Sequence, residues 1–365
     1  MTDTTPSAPS PAEVLRRAIV APALLSGLIA VLLALVAGGL LILALGVNPL
    51  TAYGALFNAS LGTTNGLAET AIRTVPLGLC GIGIALAFRA GVFNVGAEGQ
   101  LFLGGIAAAY TGTLMSGMPQ IVVLVAMGLA GAIAGALWSG IAAVLKLRFR
   151  SDELITTIML NYIGIFFVGY LLHGPLRDPA SALAQTMRLG TEARLPVLLA
   201  GTRLHAGIAL TIVIAILAQI YLWRSVAGFR LRAVGQNPHA AQNAGINVKK
   251  VIVTGFLISG ALAGLAGFSE VAGVQRRMIE NLSPGYGYTA IIVALLGRTN
   301  PIGVLAAAVL FAALQIGSTT MESAVGVPSS LTTIIQALVV LFLLAQSVLP
   351  GLIARFTAKR GAVTP

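Results

Sequence analysis

Apolar segments of membrane-spanning length recur through this 365-residue chain, and they restrict it to one class of fold. A helix needs about 20 apolar residues to cross the hydrocarbon core of a bilayer. Every backbone N–H and C=O in that core must find a partner inside the protein, which leaves helices and closed barrels as spanning structures. We predict an all-α polytopic membrane helix bundle of about ten transmembrane segments, the eighth too short to cross alone: 27–47, 71–88, 97–116, 121–145, 154–172, 206–223, 251–271, 286–297, 302–317 and 331–348.

The composition agrees with a membrane protein. Hydrophobic residues make up 57% of the chain and charged residues 9%, against about 25% charged residues in soluble proteins. The net charge of +11 raises the alternative of nucleic-acid binding. Lys and Arg retain the cytoplasmic loops of membrane proteins, and this rule accounts for the positive sign. We therefore expect the lipid bilayer as a partner, and no nucleic acid.

The sequence lacks the common motifs of catalysis. A phosphate-binding loop needs Gly-Lys followed by Ser or Thr, and none of the four lysines precedes either residue. The single cysteine, Cys80, lies in an apolar run, and the three histidines are scattered. We expect no catalytic residue, no metal site and no cofactor in this chain, so that any ATP hydrolysis belongs to a separate subunit.

Lys and Arg are distributed unevenly between alternate loops. When the N-terminus is placed in the cytoplasm, 15 of the 22 Lys and Arg residues fall on the cytoplasmic side, as the positive-inside rule requires. We expect a disordered cytoplasmic N-terminus (1–18), a single transmembrane domain (19–350) and a cytoplasmic C-terminal tail (351–365). Within the domain, 173–205 is expected to form an extracytoplasmic loop and 224–250 a cytoplasmic loop.

A glycine-rich break interrupts the apolar sequence at residues 89–100. Irregular backbone at membrane depth is tolerated only inside protein or beside a water-filled cavity, and ionisable groups there usually serve a polar path. The candidate residues for a translocation path, from this break and from two later segments, are Asn94, Glu98, Gln100, Asn161, Tyr286 and Tyr288.

Each of these candidates also has a structural alternative. The three polar residues of the break either line the path or satisfy the interrupted backbone. Asn161 is expected to form a hydrogen bond between helices. The two tyrosines are expected to anchor the chain at the membrane interface, because they lie at the end of a segment.

An ion-coupled carrier that works without an ATPase is a competing hypothesis, because such carriers hold acidic residues at membrane depth. Glu98 is the single acid that the sequence places there. Glu270 ends the seventh segment, and we expect it in a solvated ion pair with Arg276 or Arg277, or in a docking contact with a partner protein. The carrier is therefore disfavoured. An intramembrane enzyme is disfavoured as well, because no nucleophile–base pair or metal set is visible.

Two regions of the chain, 89–105 and 283–303, share a glycine-rich break followed by a helix of small residues. Paired breaks in two halves of a chain mark the central site of many transporters. We therefore expect two related halves with broken or re-entrant helices.

Glycines spaced four residues apart occur in two segments. Gly131 and Gly135 lie in the fourth segment, and Gly260 and Gly264 lie in the seventh. This spacing lets two helix backbones approach closely, so it predicts tight packing within a bundle.

The predicted cytoplasmic loop, 224–250, contains a short helix with clear ends. Asn237 is a good N-cap, Pro238 suits the first helical position, and Gly245 suits the left-handed residue after the last turn. The helix 238–244 has no large apolar residue to pack with, so we expect a soluble ATPase subunit to dock on it. The residues expected to take part in this coupling are Gly235, Asn237, Pro238, His239, Ala241 and Gly245.

Four ordered motifs together resemble one protein family. They are RAGVFNVGAEGQ at 89–100, DELITTIMLNY at 152–162, GQNPHAAQNAGINV at 235–248 and GYGYTAIIVALLGRTNPIG at 285–303. They are similar to motifs of the permease subunits of nucleoside and simple-sugar ABC importers, within a wider family that serves ribose and branched-chain amino acids. The NVGAEGQ form favours nucleosides.

The resemblance implies a permease subunit that forms the translocation path for a small polar solute. Nucleosides are the expected substrates, and a simple sugar such as ribose or a branched-chain amino acid is the alternative. The implied partners are a second permease chain, the same or related, two cytoplasmic ATP-binding subunits and an extracytoplasmic substrate-binding protein or lipoprotein. The implied location is the inner membrane of a bacterium.

Overall fold

The computed structural model describes residues 11–361, with side chains described for residues 27–345. Within residues 11–361 the regular structure is helical. The helices are α1 (Pro11–Ala44), α2 (Pro49–Leu61), α3 (Thr64–Arg89), α4 (Ala97–Leu114), α5 (Gln120–Phe149), α6 (Glu153–His173), α7 (Gly207–Arg224), α8 (Val226–Gln236), α9 (Pro238–Asn243), α10 (Val248–Ser269), α11 (Tyr286–Leu296), α12 (Pro301–Val325) and α13 (Ser330–Gly361). The prediction of an all-α polytopic bundle is confirmed, because seven candidate membrane spans lie among the described residues.

Each of the ten predicted segments coincides with a helix. The eighth is α11, whose 11 residues extend roughly 16 Å, about half the thickness of the hydrocarbon core. The sequence predicted neither α2 nor α8, which lies within the predicted loop 224–250. Helix α1 begins at Pro11, inside the predicted tail 1–18, and α13 continues to Gly361, inside the predicted tail 351–365. The remainder of those two tails, residues 1–10 and 362–365, lies outside the described residues.

The chain divides into two compact units, and the helices α2 and α12 each contribute to both. The first unit contains the described residues 11–55 and 318–361, and α1 packs against α13 within it. There the Tyr53 hydroxyl donates a hydrogen bond to the backbone oxygen of Leu35 at 2.6 Å, which ties α2 to α1. The second unit, residues 56–317, contains every candidate site residue.

Helix α3 forms the centre of the second unit. Buried residues make up 83% of its most apolar stretch, against 28% for α5 and α7 and 22% for α6. It packs against α7, α10 and α11. Thr63 caps its N-terminus by accepting a hydrogen bond from the backbone N–H of Gly66 at 3.0 Å, which satisfies one of the free donors of the first turn. The outward apolar faces of α5, α6 and α7 are suited to lipid.

The two glycine pairs face one another where α5 crosses α10. A methyl group added to Gly264 would lie 2.0 Å from the backbone oxygen of Gly131. A methyl group added to Gly135 would lie 2.2 Å from the backbone oxygen of Gly260. The prediction of close packing is confirmed, and any side chain at these positions would force the two backbones apart.

Helix α10 continues into a π-helical turn, Glu270–Gln275, which we call the π segment. Together they contain 28 residues, or roughly 42 Å along a helix. Their two ends define two faces of the second unit. The loop face contains residues 173–206 and 276–285, and the basic face contains residues 224–250.

The two regions predicted to be related have the same local order of helix, break and helix. Helices α3 and α4 flank the first break, and α11 and α12 flank the second. The breaks are in contact, because Arg89 Nη2 donates to the backbone oxygen of Arg298 at 3.1 Å. Its Nε donates to the backbone oxygen of Thr299 at 3.3 Å. One guanidinium therefore satisfies carbonyl groups that the end of α11 leaves free.

Candidate functional site

The break between α3 and α4 is closed by a pair of buried side-chain amides. Asn94 Nδ2 donates to Gln100 Oε1 at 3.1 Å, and Gln100 Nε2 donates back to Asn94 Oδ1 at 3.0 Å. Asn94 Oδ1 also accepts from the backbone N–H of Gly96 at 3.0 Å, and Asn94 Nδ2 donates to Ser259 Oγ on α10 at 2.9 Å. Asn94 therefore satisfies one N–H of the interrupted backbone, and Gln100 holds the Asn94 side chain in place.

Asn161 holds the same break from the other side. Its Oδ1 accepts from the backbone N–H of Gly99 at 2.8 Å, and its Nδ2 donates to the backbone oxygen of Val95 at 2.9 Å. A longer contact of 3.4 Å joins Asn161 Nδ2 to the Tyr288 hydroxyl on α11. The predicted hydrogen bond between helices is confirmed, and Asn161 links α6 to α4 and α11.

Glu98 caps the short helix α11. Its side chain is 3% exposed, and its Oε2 accepts from the backbone N–H of Gly287 at 2.6 Å. A carboxylate at a helix N-terminus accepts free N–H groups and interacts favourably with the helix dipole. The backbones also meet here, since a methyl group added to Gly287 would lie 2.3 Å from the backbone nitrogen of Glu98.

A cavity of about 510 Å³ lies on the loop face, above the start of α11. Among the six path candidates, Tyr286 is the one that lines it. Four charged residues that the sequence analysis did not select for the path share its wall. The full lining is Glu69, Ile72, Arg73, Arg203, Glu270, Val274, Gln275, Asn281, Leu282, Ser283, Pro284 and Tyr286.

The expectation that Glu270 forms a solvated ion pair with Arg276 or Arg277 is wrong. Glu270 is 4% exposed and opens the π segment, and no ion pair joins it to either arginine in the described part of the chain. Glu270 is thus a second buried acid within a candidate membrane span, so the prediction of a single acid at membrane depth is wrong and no longer disfavours an ion-coupled carrier. Hydropathy could not reveal this burial, because it depends on contacts between distant elements.

The loop face holds the π segment in place. Leu195 N–H donates to the backbone oxygen of Ala272 at 3.0 Å. The His205 ring packs against Gly273, where an added methyl group would lie 2.6 Å from the ring. His205 Nδ1 accepts from the backbone N–H of Gly207 at 3.1 Å. Burial lowers the pKa of His205 to about 4, so the ring stays neutral at physiological pH. Single turns of π-helix occur often at functional sites.

The basic face presents the short helix α9 with the predicted ends. Asn237 Oδ1 accepts from the backbone N–H of Ala240 at 3.0 Å, Pro238 is the first residue, and Gly245 has a φ of +79°. These capping predictions are confirmed. His239 and the rest of 235–245 are exposed except Ala241, which is buried against the chain itself.

The end of α8 touches the first break directly. A methyl group added to Gly235 would lie 2.1 Å from the backbone oxygen of Arg89, and Gly91 approaches the same glycine. Arg232 and Arg89 also flank one aromatic ring, with guanidinium carbons 4.4 Å and 5.7 Å from the Trp223 ring centroid. The basic face is thus in contact with the broken helices.

Comparison with known proteins identifies the family. The model of the branched-chain amino acid transport system permease component matches residues 66–344. The chain belongs to this family. It is a multi-pass membrane permease, and its relatives are named ABC transporter permease proteins. Permeases of this class are not ATPases, and they work within transport systems that contain ATPase and substrate-binding partners.

Individual relatives cover most of the permease. It is 39% identical to a guanosine ABC transporter permease of Bacillus subtilis (strain 168) over 93% of this chain and 98% of the relative. It is 39% identical to a glucose ABC transporter permease of Haloferax volcanii over 87% of this chain and 86% of the relative. A nucleoside ABC transporter permease of Lactococcus lactis is 29% identical over 92% of this chain and 94% of the relative. No solved structure matches the permease.

Proposed function

We propose that this permease imports nucleosides. The observation that carries this substrate is the 39% identity to a guanosine permease over nearly the full length of both chains. An equally similar relative is named for glucose, so a simple sugar such as ribose or glucose is the second candidate. A sugar ring with adjacent hydroxyl groups is common to both classes of solute.

The complex that we propose contains two permease chains, the same or related, and two cytoplasmic ATP-binding subunits. A substrate-binding protein or lipoprotein delivers the solute to the outer side. The ATP-binding subunits dock on the exposed surface of 235–245, and movement there reaches the broken helices because Gly235 touches the backbone at Arg89 and Gly91. Tyr286 lines the solute path, while Asn94, Glu98, Gln100, Asn161 and Tyr288 hold the broken helices that frame it.

We expect the uptake of labelled guanosine to decide the substrate class. Cells whose nucleoside uptake depends on this complex should lose most of the uptake when other nucleosides are added in excess, and should keep it with excess ribose, glucose or leucine. Uptake should continue when proton and sodium gradients are collapsed and should stop when ATP is depleted, because hydrolysis in a partner drives transport. Competition by leucine or ribose, but not by nucleosides, would contradict the proposal.

The orientation that we propose places the basic face in the cytoplasm of a bacterium and the loop face outside the inner membrane, with both termini cytoplasmic. The placement of 15 of the 22 Lys and Arg residues on the cytoplasmic side in this orientation supports it. A Gln242→Cys variant on a Cys80→Ala background should react with a membrane-impermeant thiol reagent only after the cells are opened. An Ala182→Cys variant on the same background should react in intact cells. The reverse pattern would contradict this topology.

A further inference from the structure

Glu270 carries a buried carboxyl group that has no direct partner. Within the described part of the chain its side chain makes no hydrogen bond and no ion pair. Buried polar groups are normally hydrogen-bonded, because leaving them without a partner is costly. The small exposed part of Glu270 faces the 510 Å³ cavity on the loop face. A ligand in this cavity is therefore the partner available to its carboxyl group.

The other three charged residues of the cavity are one ion pair and one arginine that forms no ion pair among the described residues. Arg203 Nε and Nη2 donate to the two carboxylate oxygens of Glu69 at 2.9 Å and 2.7 Å. Two parallel hydrogen bonds of this kind are the strongest arrangement in which a guanidinium group and a carboxylate pair with each other. Arg73 forms no such pair among the described residues and lines the same cavity, where its positive charge acts on Glu270.

We propose that Glu270 and Arg73 form a binding site for the adjacent hydroxyl groups of a sugar ring, a site that the solute occupies on its way from the loop face to α11. This inference rests on the proposed function and specifies its chemistry. The two oxygens of a carboxyl group can each accept a hydrogen bond, so they suit two neighbouring hydroxyl groups. Arg73 supplies donors to the lone pairs of the same hydroxyl groups or to the ring oxygen.

The cavity suits a small polar solute. Glu69 and Arg203 pair with each other, which leaves Glu270 and Arg73 to contact the solute. A volume of about 510 Å³ lies within the usual range of small-molecule sites, roughly 300–1,000 Å³. Eight of the twelve lining residues carry polar or charged side chains, which makes the wall a poor match for an aliphatic amino-acid side chain.

The backbone that carries Glu270 is held in place. Glu270 opens the π segment, which the loop face holds through the Leu195–Ala272 hydrogen bond and the contact of His205 with Gly273. A fixed backbone limits the conformational freedom that the side chain loses when a ligand binds.

The test compares guanosine with 2′,3′-dideoxyguanosine, which lacks the two hydroxyl groups, in the complete transport complex. Because the substrate-binding protein is unchanged, the ratio of variant to wild-type kcat/KM for each solute isolates the contribution of the permease. Glu270→Gln replaces one acceptor oxygen by an amide group that only donates, and should lower kcat/KM for guanosine at least about tenfold, because a buried hydroxyl group loses its partner. The value for dideoxyguanosine should change less than about threefold on the same grounds.

Controls separate this site from general damage. Glu280→Gln removes an exposed acid of the loop face and should change neither value. If Glu270→Gln does not assemble, Glu270→Asp keeps the carboxyl group, withdraws it by one methylene group and should lower the preference for guanosine in the same direction. Equal losses for both solutes, or no loss for either, would overturn the site. A wild-type complex that does not transport guanosine would instead overturn the proposed function.

Discussion

Replacement of Gly264 by alanine is expected to prevent most of the permease from assembling. The new methyl group would lie 2.0 Å from the backbone oxygen of Gly131, and neither atom is at the end of a flexible side chain. The crossing of α5 and α10 must open to admit it. Overpacking in a close-packed interior lowers the free energy of unfolding by about 1–3 kcal/mol and occasionally more. Because neither backbone can move aside easily, we expect a loss of about 3 kcal/mol or more here.

The measurement is the yield of monodisperse protein by size-exclusion chromatography, together with the midpoint of thermal unfolding. Gly128→Ala is the matched control, because this glycine is also buried in α5 but its added methyl group would meet its nearest neighbour at 3.7 Å, an ordinary contact. The control should match the wild type or exceed it, since alanine favours a helix over glycine by about 1 kcal/mol. Equal yields and midpoints for the two variants would show that the crossing has room to relax.

Replacement of Ala240 by arginine is expected to uncouple ATP hydrolysis from uptake. Ala240 lies on the exposed surface of α9, so a larger side chain leaves the fold of the permease intact. At a docked interface the new charge would be buried without a partner, which is strongly unfavourable. We expect uptake and solute-stimulated ATPase activity to fall at least about tenfold, equivalent to about 1.4 kcal/mol of lost docking energy, while the amount of permease in the membrane is unchanged.

Ala182→Arg is the control for this experiment. Ala182 is also exposed but belongs to the loop face, so the same change of charge and size should leave ATPase stimulation intact. Ala241 is less suitable for the test, although the sequence suggested it, because its side chain is buried against the permease and an arginine there would disturb α9 itself. Normal uptake and normal ATPase stimulation by the Ala240→Arg variant would show that α9 is not the docking element.

Features that depend on neighbouring residues were predictable. The ten helical segments followed from apolar runs, and the ends of α9 followed from the capping preferences of Asn237, Pro238 and Gly245. The glycine spacing in α5 and α10 predicted close packing, although it did not show that the two pairs would pack against each other. Asn161 was correctly interpreted because an amide within an apolar segment must find a hydrogen-bond partner.

Features that depend on contacts between distant elements were not predictable. The sequence placed Glu270 at the end of a segment, and the natural expectation was solvent. Its burial arises because 186–206 folds back over the π segment, through Leu195, His205 and the contact with Gly273. In the same way, the choice for Glu98 between lining a path and capping backbone depended on where α11 begins, more than 180 residues later in the chain.

The sequence by itself determined that this protein is a helical membrane permease, because apolar length, Lys and Arg placement and the local motifs are all read within short windows of the chain. The tertiary structure alone decided which polar side chains complete the fold and which face the cavity. A buried polar group must be satisfied by whatever lies beside it. Asn94, Gln100 and Glu98 each find a partner in the backbone or in a neighbouring amide, whereas Glu270 faces the cavity. This difference exists only once the helices are packed.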